Sequence, residues 1–238
     1  MNASQVSSVS IAWFLTLVLL VAAFFVGSLA VFARAPGEDR SKSLRWAAAG
    51  LAILALWMAP SAAASWNGWL TFTGRPPTFF VLLALSTLAT TILAFSPVGT
   101  RLVAGIGVAG LVGFQAFRIP LEFLLHRLSQ EGVVPIQMTF AGSNFDIVTG
   151  MLALLLVGWS LLSPPPRWAI LGFNLIGLAL LVAIVSIAVL SMPTPLRRFH
   201  AEPAAVFVTR WPFVWLPTVL VQAAWFGHLL VFRRLAWR

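Results

Sequence analysis

Long apolar stretches, separated by short polar connections, constrain this chain more than any other feature of its sequence. A helix crosses the hydrocarbon core of a bilayer with about 20 apolar residues, within a range of about 17–25. Such stretches recur seven times, and a run of three prolines at 164–166, which cannot continue a helix, separates the fifth from the sixth. The predicted spans are residues 11–33, 45–66, 78–96, 101–127, 146–163, 168–191 and 212–233. We therefore predict an all-α, polytopic integral membrane protein, a single domain of seven transmembrane helices over residues 1–238.

The composition supports this fold class. Charged residues make up 9% of the 238 residues and hydrophobic residues 60%, whereas about 25% of the residues in an average soluble domain are charged. A surface with so little charge faces lipid, which excludes ordinary soluble enzymes, secreted domains and nucleic-acid-binding modules. The expected partner is the lipid bilayer, with no nucleic acid, although the net charge is +9.

The basic residues are divided unequally between the two sets of alternating connections. The first set holds nine of them: Arg34, Arg40, Lys42, Arg45, Arg101, Arg167, Arg233, Arg234 and Arg238. The second set holds five: Arg75, Arg127, Arg197, Arg198 and Arg210. Because the connections richer in Lys and Arg stay in the cytoplasm, we predict that the N-terminus is outside, the C-terminus is inside, and the protein is integral to the plasma (inner) membrane.

Residues that commonly hold cofactors are scarce in this chain. It contains no Cys, which excludes thiolate chemistry and Cys-ligated metals. Its single Lys, Lys42, lies between spans, so no span can form a retinal Schiff base. The three His do not follow a metal-ligand spacing. We therefore expect neither a metal nor a cofactor.

Four polar residues share one face of the fourth predicted span. At 100° per residue, Gln115, Arg118, Glu122 and His126 fall within an arc of about 80°. Glu122 is four residues from both Arg118 and His126, so it can contact either of them. The span is expected to start at Arg101, so Arg118 lies about 26 Å along its axis, inside the outer leaflet. We expect Arg118 to pair with Glu122 and to face the bundle or a wet cavity, because an unpaired Arg in lipid costs at least about 2.5–3.5 kcal/mol.

The same face has a purely structural interpretation, because buried ion pairs also occur without a function. In that case the Arg118–Glu122 pair only fixes the register of the helix near the interface. Pro120 favours the functional interpretation slightly, since it interrupts the helix one turn back, near Ala116.

The outer connections are long and contain further polar residues. Gln137 and Asn144 lie in the connection that precedes the fifth span, and Asp146 opens that span. Asp146 is expected to cap the helix, since Asp accepts hydrogen bonds from unpaired N–H groups at helix starts; alternatively, its carboxylate reaches Arg118 or His126. His228 is expected at the inner interface. Asn174 and Gln222 are expected to form hydrogen bonds between helices.

The sequence leads to two functional hypotheses, of which it favours the non-enzymatic one. The first is a protein with an outward-facing polar pocket that acts as a small-molecule transporter, a receptor or an accessory subunit of a membrane complex. Its ligand is small and anionic or amphipathic, and its other partners are membrane subunits. The alternative is a membrane-embedded enzyme for a lipid or isoprenoid substrate, with Glu122 and His126 as acid and base. The predicted ligand-binding residues are Gln115, Arg118, Glu122, His126, Gln137, Asn144 and Asp146.

Overall fold

The structure is a computed structural model that describes residues 6–32 and 39–236. Within these residues every regular element is a helix. The α-helices are α1 (Ser8–Gly27), α2 (Arg40–Trp66), α3 (Thr78–Phe95), α4 (Pro97–Gly105), α5 (Val108–Gly113), α6 (Arg118–Gln130), α7 (Ile147–Leu162), α8 (Arg167–Leu190) and α9 (Val221–Ala236). Short 3-10 helices cover Phe114–Phe117, Ile136–Met138 and Phe207–Thr209, and π-helical turns cover Ser28–Phe32 and Leu216–Leu220.

Six helical stretches of the described chain are long and apolar enough to cross a membrane. They are Ser8–Ala30, Arg40–Trp66, Thr78–Phe95, Val108–Gln130, Arg167–Leu190 and Leu216–Ala236. The remaining apolar helix, α7, has 16 residues and is shorter than these. The end of the first predicted span at residue 33 lies outside the described residues, as do Arg34 and Arg238 of the orientation count.

The fourth predicted span, 101–127, is wrong at its start. Ser96 caps a separate helix, α4, through its hydroxyl, and Pro97 occupies the first position of that helix. Ile106 and Gly107 are both extended, which ends α4 and starts the membrane-length stretch Val108–Gln130. The signal was present in the sequence, because Ser followed by Pro is typical of a helix start.

The short helix α4 packs against the end of the bundle that carries most of the basic residues, which we call the basic end. Arg101 donates from Nε to the carbonyl of Leu29 at 3.1 Å, and its guanidinium lies 4.8 Å from the centre of the Trp46 ring. Arg234, near the end of α9, donates to the carbonyl of Val103 at 3.0 Å. These contacts bring the ends of three long helices onto α4.

The opposite end carries the connections 131–146 and 191–215, and we call it the loop end. There the Ser65 hydroxyl donates to the carbonyl of Thr209 at 2.8 Å, and the rings of Trp66 and Trp211 stack at 4.9 Å. The last span begins at Leu216 rather than at residue 212 as predicted. Pro217, instead of Pro212, is the proline of its first turn.

The helix α7 starts inside the bundle. It runs antiparallel to the 113–119 segment: a Cβ at Gly150 would lie 2.6 Å from Cγ1 of Ile119, and a Cβ at Gly113 would lie 2.9 Å from Cγ2 of Val157. Asp146, the residue before α7, forms an ion pair with Arg118. The connection 131–146 therefore folds back from the loop end into the bundle before α7 begins.

Candidate functional site

Arg118 forms a buried ion pair at the first residue of α6, but its partner differs from the predicted one. Nη1 of Arg118 bonds to Oδ1 of Asp146, and the two side chains are 1% and 7% exposed. The expectation that Arg118 pairs with Glu122 is wrong, because the Glu122 carboxylate is bonded elsewhere. Both charges of the pair are nevertheless screened from lipid.

Asn144 holds the carboxylate of Glu122 and organises the loop around it. Its Nδ2 lies 2.7 Å from each oxygen of Glu122 and 3.1 Å from the carbonyl oxygen of Met138. Its Oδ1 accepts from the backbone N–H of Asp146 at 3.0 Å. One amide therefore connects the loop, the start of α7 and α6, which explains why the loop lies inside the bundle.

Gly142 allows this loop to turn back on itself. A Cβ at this position would collide with the carbonyl of Ile136 and would lie 2.7 Å from Cα of Gln137. Since both of these atoms belong to the backbone, they cannot rotate away. The small residue at 142 is thus a requirement of the fold that presents Asn144 and Asp146.

Asp146 occupies the cap position of α7, but its side chain makes no cap hydrogen bond. Its Oδ1 accepts instead from Arg118 and from the Thr149 hydroxyl, the latter at 3.3 Å. The expectation of a capping role is wrong, and the alternative, a carboxylate that reaches Arg118, describes the structure. A buried guanidinium is a stronger partner for a carboxylate than a helix N–H group.

His228 completes the surroundings of Arg118, although the sequence placed it at the interface. It is fully buried, and its Nε2 lies 3.1 Å from Nη2 of Arg118. Because a guanidinium N–H can only donate, Nε2 accepts, and the proton of a neutral imidazole is on Nδ1. Nδ1 lies 2.8 Å from Oδ1 of Asn174, whose Nδ2 donates to the carbonyl of His228 at 3.2 Å.

The expected hydrogen bond of Asn174 to another helix is thus confirmed. The expectation that His228 lies at the inner interface is wrong, because this residue is buried in the bundle. One signal could have placed His228 correctly. Arg233 and Arg234 mark the end of the last span, and His228 precedes them by five residues, about 7.5 Å of helix.

Gly177 of α8 lets these groups come together. A Cβ there would lie 2.6 Å from Cε1 of His228 and 2.7 Å from Cγ2 of Thr149. Its carbonyl also accepts from Nη1 of Arg118 at 3.3 Å. Four helices therefore converge on one guanidinium. We call this set the inner cluster: Arg118, Glu122, Asn144, Asp146, Asn174 and His228.

The other predicted site residues lie outside the inner cluster. Gln115 is buried and donates to the carbonyl of Ala224 at 3.1 Å, and Gln137 donates to the Ser191 hydroxyl at 2.9 Å at the loop end. His126 is half-buried, with its ring centre 4.6 Å from that of Phe140. Gln115 departs from the predicted polar face because it belongs to a 3-10 helix, which turns more per residue than an α-helix.

The interruption expected near Ala116 is present as this 3-10 helix, Phe114–Phe117. Pro120 is the third residue of α6, which begins directly after it. Proline is tolerated in the first turn of a helix, where its missing N–H would have no partner. The interruption therefore lies immediately before Arg118.

Arg118 lies near the middle of its membrane-length stretch, Val108–Gln130. Arg118 follows Val108, the start of its span, by about 15 Å and precedes Gln130 by about 18 Å. The expected distance of about 26 Å along a continuous span, on which the predicted position near the outer leaflet depends, is therefore wrong, because α4 is separate from the span. Ionisable groups at such a depth are functional candidates by default.

A cavity of about 70 Å³ adjoins the inner cluster. Arg118, Glu122 and Asp146 line it, and its remaining wall is apolar, with Phe79, Leu121, Leu181 and Ile184 among its residues. Nε of Arg118 is buried and has no hydrogen-bond partner among the described residues. One unused donor therefore lies on a charged residue that lines an otherwise apolar cavity.

No group of three His, Asp or Glu side chains that could hold a metal lies within residues 6–32 and 39–236. No family model, curated protein or solved structure matches the chain. Its function has to be inferred from the inner cluster itself.

Proposed function

We propose that this protein is a multi-pass membrane protein that binds a small amphipathic molecule in the cavity beside Arg118. It would act as a small-molecule transporter, as a receptor or as an accessory subunit of a larger membrane complex. The observation that carries the proposal is the unused Nε donor of Arg118, on a cavity that is apolar apart from three charged side chains. Small-molecule sites commonly combine an apolar wall with a few convergent polar groups.

The size of the cavity limits the ligand. A single water needs about 10–15 Å³ of such space, so 70 Å³ accommodates a group of only a few heavy atoms. The part of the ligand that enters the cavity is therefore small, with an apolar body and one polar group. That polar group accepts a hydrogen bond from Nε of Arg118.

The charges around the cavity favour a dipolar ligand over an anionic one. The guanidinium of Arg118 is already bonded to Asp146, and Glu122 adds a second carboxylate that also lines the cavity. An anion would approach two acidic groups and only one cation in a setting of low dielectric constant, where like charges repel strongly. A neutral amide or carbonyl group avoids this cost and still accepts from Nε.

Butanamide and butanoate provide a matched test of this proposal, because they share an apolar body and differ in charge. We expect butanamide to raise the melting temperature of the protein in lipid nanodiscs, and butanoate to raise it less. Saturation at about 100 times Kd stabilises a protein by about 2.7 kcal/mol. Arg118→Lys keeps a cation beside Asp146 but lacks the Nε–H group, so we expect it to lose the response to butanamide.

Two results would count against this function. Equal stabilisation by butanoate would show that the site takes anions. Unchanged melting with both compounds, together with a loss of folding in Arg118→Lys, would favour the structural interpretation of the inner cluster.

We further propose that the protein lies in the plasma (inner) membrane and crosses it seven times. The loop end is outside, and the basic end is in the cytoplasm. The seventh crossing consists of α7 and the loop before it. The 16 residues of α7 cover only about 24 Å, which is less than the hydrocarbon core of about 30 Å. The unequal distribution of Lys and Arg supports the orientation.

Cysteine labelling can test this topology, since the chain has no Cys of its own. In intact cells, a membrane-impermeant maleimide should label Arg75→Cys and should leave Lys42→Cys unlabelled. If α7 completes a crossing, Ser163→Cys should also be protected. Labelling of Ser163→Cys alongside Arg75→Cys would remove the seventh crossing and leave six.

The alternative of an enzyme with Glu122 and His126 as acid and base has less support. The Glu122 carboxylate is held by Asn144, while His126 lies against Phe140 and 3.2 Å from Nε2 of Gln130. His126 is not among the residues that line the cavity.

A further inference from the structure

A second and larger cavity lies on the other side of the last span, away from the inner cluster. Its volume is about 330 Å³, within the range of about 300–1,000 Å³ that is usual for ligand pockets. Helices α1, α2, α3 and α9 form most of its wall, and none of the inner-cluster residues lines it. Five aromatic rings contribute to the wall: Phe24, Phe25, Trp57, Phe114 and Phe226. We call it the aromatic cleft.

The aromatic cleft is accessible from the surface that the long helices present to lipid. Leu56 lines the cleft and is 76% exposed, in the interior of a 27-residue helix that is long enough to cross a membrane. A molecule that enters along this route comes from the bilayer, so it must itself be lipid-soluble.

Two residues of the aromatic cleft have polar atoms without partners. Oε1 of Gln222 and the hydroxyl of Ser28 are both buried, and neither has a hydrogen-bond partner within the described part of the chain. Leaving a buried polar group without a hydrogen-bond partner costs free energy. A purely apolar occupant would leave this cost in place at both atoms, whereas an occupant with a hydrogen-bonding group would remove it at the atom to which it bonds.

The chemistry of Gln222 decides which group fits. Its Nε2 donates to the carbonyl of Pro217 at 3.1 Å and lies 3.4 Å from the Thr87 hydroxyl. This bond to a carbonyl fixes the orientation of the amide, because an oxygen in place of Nε2 would face another acceptor. The unpaired atom is thus a carbonyl oxygen that can only accept. The Ser28 hydroxyl is less selective, since it can both donate and accept.

Gln222 and Ser28 lie at different depths. The rings of Phe25 and Phe226 meet at 6.0 Å and give the register of α1 against α9. Ser28 is three residues from Phe25 toward the basic end, and Gln222 is four residues from Phe226 toward the loop end. The two residues are therefore separated by about 10 Å along the helices. Apolar side chains line the cleft between them.

We propose that the aromatic cleft binds a hydroxyl-bearing lipid, a long-chain or isoprenoid alcohol, whose O–H donates to Oε1 of Gln222. The chain of this lipid lies among the aromatic rings and extends toward Ser28. This site is separate from the cavity beside Arg118, and the proposal does not depend on the function assigned to that cavity.

A pair of photoactivatable probes tests the proposal directly. Diazirine-labelled hexadecanol has the O–H donor, and its methyl ether has the same chain without the donor. With the full-length protein in nanodiscs, we expect the alcohol to label peptides of the aromatic cleft about tenfold more than the ether does, as one buried hydrogen bond allows. Mass spectrometry of the labelled peptides gives the position and the ratio.

Three variants locate the effect. Gln222→Met removes the acceptor at similar size and should lower labelling by the alcohol to the level of the ether. Ala223→Phe fills the cleft and should lower labelling by both probes. Ala179→Phe adds the same ring to an exposed position on α8 and should change neither.

Two results would overturn the proposal. Equal labelling of the wild-type protein by alcohol and ether would show that no hydroxyl is recognised, whether or not the variants fold. Labelling that persists in Ala223→Phe would place the lipid outside the aromatic cleft.

Discussion

Two ion pairs of one helix, α6, show how depth in the bundle changes the role of the same chemistry. The inner pair, Arg118 and Asp146, is 1% and 7% exposed and lies near the middle of its span. The outer pair, Arg127 and Glu131, joins Nε to Oε1 at 3.3 Å near the loop end, and its side chains are 43% and 16% exposed. Arg127 follows Arg118 by nine positions in the chain.

The outer pair connects two helices. The carboxylate of Glu131 accepts from the hydroxyls of Ser7 and Ser10 at 2.7 Å each, and from the backbone N–H of Ser7 at 3.2 Å. These contacts tie the start of α1 to the end of α6. Because water reaches Arg127, either charge can be lost at small cost.

The inner pair has no such alternative. Burial of both charges makes each dependent on the other, so that removing one partner leaves an uncompensated charge. Replacing both residues of such a pair with apolar residues restores stability, but it also removes the Nε donor that the proposed ligand needs.

Asp146→Ala is expected to have the largest effect. It leaves Arg118 without an anionic bond partner and should lower the free energy of unfolding by about 3–5 kcal/mol. The double variant Arg118→Met/Asp146→Leu should recover most of this loss, because it removes both buried charges. Unfolding in a fixed detergent measures both; a loss in Asp146→Ala no larger than in Glu131→Ala would contradict the contrast of depth.

Gly177→Ala should have an intermediate effect, since its methyl group would push on His228 and Thr149. Overpacking of this kind costs about 1–3 kcal/mol. Gly172→Ala is the matched control in the same helix, as a Cβ there meets nothing within 4 Å. Thermal unfolding should therefore show a loss for position 177 and no loss for position 172. Equal behaviour of the two would mean that the inner cluster is not closely packed.

Glu131→Gln should cost less, about 0.2–1 kcal/mol, as is usual for exposed ion pairs. The cost should shrink further at high salt, because mobile ions screen exposed charges. The stability lost in Asp146→Ala should depend much less on salt, since the pair that this variant breaks is buried. Parallel unfolding experiments at low and high salt compare the two; a salt-independent cost at Glu131 would place that pair in the interior.

The smallest expected effect is a pH dependence at the outer pair. Burial opposes ionisation of Glu131, but the hydrogen bonds from Ser7 and Ser10 and the charge of Arg127 outweigh it and lower its pKa below the ordinary value. A lowered carboxyl pKa stabilises the fold above the unfolded pKa of about 4.3, and the contribution is lost as pH falls through the folded pKa.

Between pH 5 and lower values, the wild-type protein should therefore lose slightly more stability than Ser10→Ala, which lacks one of these bonds. Unfolding followed across this pH range in both proteins gives the difference. A Ser10→Ala protein with the larger acid-induced loss would show that the hydrogen bonds do not favour the ionised carboxyl.

Some elements of the inner cluster could be predicted from spacing alone. Arg118 and Glu122 are one helical turn apart in an apolar stretch, and this identifies them as residues that face the interior. The sequence likewise predicts a hydrogen bond from Asn174 to another helix, because an amide in a membrane span needs a partner. These predictions depend only on local periodicity and on the polarity of single residues.

Other elements could not be read in this way. The partner of Arg118 lies 28 residues away and His228 lies 110 residues away in the chain. Their approach depends on the fold-back of the loop 131–146, which in turn needs the bonds of Asn144 and the small residue at 142. The choice between Glu122 and Asp146 is made by these long-range contacts.

The amino-acid sequence alone predicts a membrane environment for this protein. The order of its residues gives the length of the apolar stretches, and its composition gives the low charge. Both favour helices that face lipid for most of the chain. Which polar groups meet depends on how the helices pack, because a buried charge pairs with whichever partner packing brings within hydrogen-bonding distance. For Arg118 that partner is the carboxylate at the start of another helix, and both side chains line the cavity beside it.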